Sequence, residues 1–190
     1  MQRELLDRLM EASKRHQRVN GCHGFEHTER VVGLCRALGE RLGADMSVLI
    51  PAAILHDVGR GQDDHAEKGA ERARYILTQH GVPSDRTARI VEAIKVHSFS
   101  GGLEAASLEA QILSDADKLD AMGAVGVYRA AQYSGEHDRS IDEYVGHFHE
   151  KLLNLKGLLY TDEAKKLAEN RHRFMESYLE EFMKELKAEA

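Results

Sequence analysis

The stretch AAILHDVGR, residues 52–60, carries an apolar run straight into an adjacent His56–Asp57 pair. The run begins near Met46 and is apolar on nearly all sides of a helix. A helix over roughly 46–58 is therefore expected at the centre of the fold. The end of a buried helix is a costly place for two polar side chains. Either they satisfy each other and the backbone, or something charged sits between them and other residues.

The segments around this one are helical too. Leu5, Leu6, Leu9 and Met10 give a first amphipathic helix, and Val31, Leu34, Cys35, Leu38 and Leu42 give a second over roughly 25–42. Gly43 ends the second, and Asp45 or Ser47 caps the next. A fourth helix, about 64–80, carries a small-residue stripe of Ala66, Gly69, Ala70 and Ala73. A fifth presents Ile90, Ile94 and His97 on one face, before a loop over 98–107. Helices at about 108–119, 121–134, 141–158 and 162–188 follow, with Gly135 and the polar stretch after it separating two of them. There is no run of strand alternation, internal repeat or linker. The expectation is an all-α, compact single-domain helical bundle over residues 1–190.

Of the 190 residues, 42% are hydrophobic and 31% charged, which suits a folded domain with one core. The net charge of -6 argues against a nucleic-acid or anionic-membrane surface, since both need a basic excess. A small anionic substrate is still allowed, because a bound cation reverses the local field. Cys22 and Cys35 fit no metal spacing and read as ordinary thiols of a reducing compartment. No apolar run approaches the ~20 residues of a membrane span. The opening MQRELLDRLM lacks the apolar core of a signal peptide. A cytoplasmic protein, monomer or homodimer, is expected.

Polar residues at core-facing positions carry the functional signal. His27 lies four residues before Val31 and shares its buried stripe, with Arg30 on nearly the same face. His56 and Asp57 close the central helix. Asp117 falls four residues after Leu113, again on an apolar side. Two imidazoles and two carboxylates suit a divalent ion such as Mn, Fe, Co or Ni, or zinc. The competing reading is a satisfied polar network with two hydrogen-bonded core histidines.

The order H…HD…D, in GFEHTERVV (24–32), AAILHDVGR and ILSDADKLDAMGAVGV (112–127), resembles the HD-domain metal-dependent phosphohydrolase superfamily. The phrases HFHEKLLNLKGLL (147–159) and ENRHRFMESYLEEF (169–182) are similar to a compact bacterial and archaeal branch, some of whose members hydrolyse nucleoside triphosphates. The resemblance covers nearly the whole chain. It implies His27, His56, Asp57 and Asp117 as ligands of a divalent ion (Mn, Mg, Fe, Co or Ni). Asp57 or Asp117 is the candidate catalytic carboxylate while ligating, with an outer carboxylate such as Asp63 or Asp64 as the alternative.

HAEKGA (65–70) looks like a segment of two-metal relatives. Those relatives carry a doubled histidine where this chain has His97-Ser98, and often Lys where it has Arg60. His65 and His97 are therefore expected to face substrate phosphates, together with Arg30 and Lys118; the alternatives are that the two histidines hold a second ion or are hydrogen-bonded helix histidines. The implied activity is hydrolysis of a small phosphorylated substrate, a nucleoside triphosphate giving monophosphate and pyrophosphate. The alternatives are a 5'-nucleotidase or cyclic-nucleotide phosphodiesterase, and a non-catalytic ligand-binding module whose metal is structural.

Overall fold

The structure, a computed structural model, describes residues 2–17, 24–59, 65–97 and 104–189. All the elements among these residues are helical, so the all-α class holds. They are α1 (Gln2–Lys14), α2 (Phe25–Leu42), α3 (Met46–Leu55), α4 (His65–Gln79), α5 (Ser84–Val96), α6 (Leu108–Asp120), α7 (Gly123–Glu136), α8 (Ile141–Glu150), a 3-10 helix (Leu152–Leu158) and α9 (Asp162–Leu186). No helix among them is long and apolar enough to cross a membrane. The chain divides into two compact units, Met1–Asp117 and Lys118–Ala190, with the boundary inside α6.

In the first unit α3 is the core. Every residue from Val48 to Leu55 is buried, and α1, α2 and α5 pack around it. Burying a Leu or Ile side chain this fully stabilises by about 1.5–3 kcal/mol. Asp45 caps α3, its carboxylate accepting from the Ser47 amide at 3.0 Å. The α2 face buries Phe25, His27, Thr28, Val31, Cys35 and Leu38. Gly39 lets α2 come close to α3: a methyl there would meet Leu49 Cδ2 at 2.6 Å and Met46 Sδ at 2.7 Å. Gly43 turns the chain out of α2 at φ 72°, the left-handed region that glycine enters freely.

The second unit packs α9 against α7 and the 3-10 helix. Fully buried Phe148 contacts the Tyr144 and Tyr178 rings, whose hydroxyls lie 3.0 Å apart. Two expected boundaries differ here. The single helix expected over 141–158 is two elements. Lys151 leaves helical geometry (φ -130°), and Asn154 Nδ2 donates to the His149 and Glu150 carbonyls at the end of α8. Gly135 lies inside α7 rather than ending it. The break comes at Asp138 (φ 50°), before the Ser140–Glu143 capping box of α8.

Candidate metal centre

α3 ends at Leu55, three residues earlier than its apolar pattern suggests, and the reason is His56. As the C-cap it turns its ring back so that Nδ1–H donates to the Ala53 carbonyl at 2.8 Å. The last carbonyls of a helix have no partner within it, so this bond satisfies one of them and fixes the ring. With the proton on Nδ1, Nε2 keeps a lone pair. The end of α5 repeats the arrangement: His97 is its C-cap, and its Nδ1–H donates to the Ile94 carbonyl. Each end is also tied by a buried serine. Ser13 Oγ donates to the Ile54 carbonyl at 2.6 Å, and Ser114 Oγ to the His97 carbonyl at 2.9 Å.

His27, in the first turn of α2, is the hub. Its Nε2 lies 3.2 Å from His56 Nε2, 3.2 Å from Asp117 Oδ1 and 3.7 Å from Asp57 Oδ2. His56 Nε2 is 3.9 Å from the same Asp57 oxygen. His27, His56 and Asp57 are each at most 4% exposed, whereas the Asp117 side chain is 29% exposed. One atom each from His27, His56 and Asp117 lies within 4.8 Å of the others, and so does one each from His56, Asp57 and His97.

These residues fit a divalent ion. Two ligands about 2.1 Å from an ion, at 90–110° to each other, stand about 3.0–3.4 Å apart, close to the 3.2 Å contacts here. Burial, with the nearby His27 and His97, pushes the His56 imidazole down to about 4, against the opposing pull of Asp57. At neutral pH its Nε2 is thus a bare lone pair with no proton to lose. Burial alone would raise the Asp117 carboxyl. The His27 hydrogen bond and the neighbouring imidazoles outweigh it and hold the group well below the usual carboxylate range. Nearby Cys35 is no ligand candidate, since burial, then Asp117 and Asp115, push its thiol far up.

The four expected ligands are thus brought together, and His97 lies beside them, its ring centroid 5.3 Å from that of His56. Arg30 follows one turn after His27 on α2 and is partly exposed. Lys118 is buried in the second unit, its Nζ 5.5 Å from the Tyr160 ring centre. α4 begins at His65, but that side chain lies outside the described residues, as do Arg60 and the 98–103 loop. Sequence reasoning missed Ser13 and Ser114. Ser13 had a usable signal, falling four residues after the fully buried Leu9 on the apolar face of α1.

The family model for the HD domain matches residues 24–122. The chain is 34% identical over 173 residues to YpgQ of Bacillus subtilis, an alignment that covers 86% of this chain and 84% of YpgQ. The crystal structure of B. subtilis YpgQ in complex with ADP superposes with a TM-score of 0.81 at 29% identity, covering 95% of this chain and 97% of that one. An HD-superfamily hydrolase from Bacillus thuringiensis superposes with a TM-score of 0.82 at 30% identity, covering 99% and 100%.

Proposed function

Because this chain belongs to the HD-domain family, we propose that it is a metal-dependent phosphohydrolase that cleaves a nucleoside triphosphate to the monophosphate and pyrophosphate. The observation that carries this reading is the meeting of His27, His56, Asp57 and Asp117 donor atoms in a nearly dry part of the first unit. Support for a nucleotide comes from YpgQ, a relative crystallised with ADP.

His27, His56, Asp57 and Asp117 would hold the ion. When bound, it supplies a water of lowered pKa and positive charge beside the phosphate. The residues do the rest. His56, neutral and locked by Ala53, offers Nε2 without reorganising. Asp117, ionised and partly open to solvent, is placed to accept a hydrogen bond from the attacking water and orient it. The water oxygen bonds to the α-phosphorus, the bond to the bridging oxygen breaks, and pyrophosphate leaves. His97 already uses Nδ1–H at Ile94, so Nε2 is the ring atom left to face the substrate. Arg30 supplies a guanidinium for the same charge.

The test is a screen of the manganese-loaded protein against nucleoside tri- and diphosphates, nucleoside monophosphates, cyclic nucleotides and simple phosphate esters, with products identified by phosphorus NMR. Monophosphate and pyrophosphate from a triphosphate are expected. Release of orthophosphate from a 5'-monophosphate, or opening of a cyclic nucleotide, would replace the proposed reaction with a nucleotidase or phosphodiesterase. Nucleotide binding with no turnover under any metal would make the chain a binding module.

A further inference from the structure

Outside the donor cluster, the first unit holds a second line of polar groups. Thr28 Oγ1–H donates to Gln17 Oε1 at 2.9 Å, Gln17 Nε2–H to Ser13 Oγ at 3.1 Å, and Ser13 Oγ–H to the Ile54 carbonyl at 2.6 Å. The far end is a carbonyl, which only accepts, and this sets the direction of every bond before it. The Ser13 hydroxyl must give its proton to Ile54, so its lone pair takes the Gln17 amide, and the Gln17 oxygen takes the Thr28 proton. Three bonds running head to tail polarise one another. Thr28 and Ser13 are fully buried, and Gln17 closes the gap just beyond α1.

The two ends of this line matter most. Thr28 is the residue after His27, and Ile54 is two residues before His56. The relay therefore spans from one ligand-bearing helix, α2, through α1 to the other, α3. Its ends lie one residue after His27 and two residues before His56, whose Nε2 atoms stand 3.2 Å apart. α2 and α3 also pack through apolar side chains, but such contacts tolerate small sliding, whereas a donor–acceptor chain fixes register. A slip of about 1 Å would carry the two nitrogens out of the range that one ion spans.

We propose that Thr28, Gln17 and Ser13 are positioning residues that set the His27–His56 spacing and so the affinity of the site for its metal. This rests on the metal reading given above. Thr28→Val keeps the shape and removes the hydroxyl. Gln17→Met keeps the length and removes both bonds at a half-buried position, where water can reach the groups left behind.

The measurement is manganese affinity, from the free-ion signal in electron paramagnetic resonance titrations, beside urea unfolding of the metal-free protein. Direct hydrogen-bond partners of a metal ligand change affinity about 10–100-fold when lost; the relay acts through the backbone next to each ligand, so both variants are expected to bind manganese about 10-fold more weakly, the low end of that range. Thr28→Ser, which keeps the hydroxyl, is expected to bind within about twofold of wild type. Because the relay acts as one unit, the double variant is expected to bind no more weakly than the worse single one. If both single variants lower unfolding stability yet bind manganese within twofold of wild type, the relay is merely structural and the proposal is overturned. If wild type and His27→Ala bind manganese equally, the metal reading itself falls and takes this proposal with it.

Discussion

Replacing Asp57 with alanine separates the part of the site proposed to hold a cation from the part that holds the fold. Asp57 is 4% exposed, and its Oδ2 lies 3.7 Å from His27 and 3.9 Å from His56. A ligand that binds only the folded state at 100 times its Kd stabilises by about 2.7 kcal/mol. For a chain of this length, each kcal/mol moves Tm by about 2–4 °C. Saturating manganese is therefore expected to raise the wild-type Tm by about 5–11 °C. Loss of a buried carboxylate ligand is expected to weaken binding about 100-fold, the upper end of what even outer partners cost. At the same manganese concentration the stabilisation then falls to about 0.4 kcal/mol, a shift of about 1–2 °C. The metal-free proteins should differ by less than about 2 kcal/mol. Losing the carboxylate's contacts costs about 1–2 kcal/mol, offset in part because a buried charge no longer has to be desolvated. The assay is thermal unfolding with and without manganese, beside turnover. An undiminished manganese shift in Asp57→Ala, or full turnover with excess metal, would refute the reasoning.

His97→Ala is expected to lower kcat on a nucleotide about 10²-fold, the value of one donor acting in the transition state, with the number of bound ions unchanged. A fall from two bound ions to one would make His97 a ligand instead. The Cys35 thiol, fully buried and pushed far up, is expected to stay unmodified by iodoacetamide at pH 8 in the folded protein and to react in urea, as read by peptide mapping. Modification under native conditions would show that the α2–α3 core opens there.

Much of the first unit was legible because its signals are local. Helix α2 announced itself through Val31, Cys35 and Leu38 at helical spacing, and α3 through a run with no polar side. The inward-facing polar cluster was legible for the same reason. His27 and Asp117 stand one turn from Val31 and Leu113, both fully buried, so each had to face inward. What escaped depends on partners distant in sequence or on side-chain capping. Ser13 and Ile54 are 41 residues apart, and Ser114 and His97 are 17 apart. No periodicity links such pairs. The end of α3 was misplaced because the apolar pattern runs on to Val58, while the His56 ring bonds back to Ala53 and closes the helix first. The break at Lys151 escaped because Leu152 and Leu155 are buried and continue the apolar spacing of α8.

The ends of α3 and α5 also bear on which charge the site accepts. Both helices finish at the cluster, with His56 and His97 as their C-caps. A helix C-terminus carries about half a negative charge, and two of them meet the carboxylates of Asp57 and Asp117. His56 adds no compensating charge at neutral pH, because burial keeps it neutral. Before any ion binds, the cluster therefore gathers two carboxylates and two helix C-termini among mostly buried residues. A phosphate entering alone would meet repulsion that little water is present to screen. A divalent cation reverses that balance and is held by the same features, since carboxylates, the bare His56 Nε2 and helix C-termini all favour positive charge. A chain of net charge -6 can thus handle the proposed polyanionic nucleotide, provided that the cation binds first. Nucleotide affinity should therefore depend on the metal: nucleotide mixed with metal-stripped protein is expected to bind only weakly, and tight binding of that pair would remove the electrostatic case for the metal.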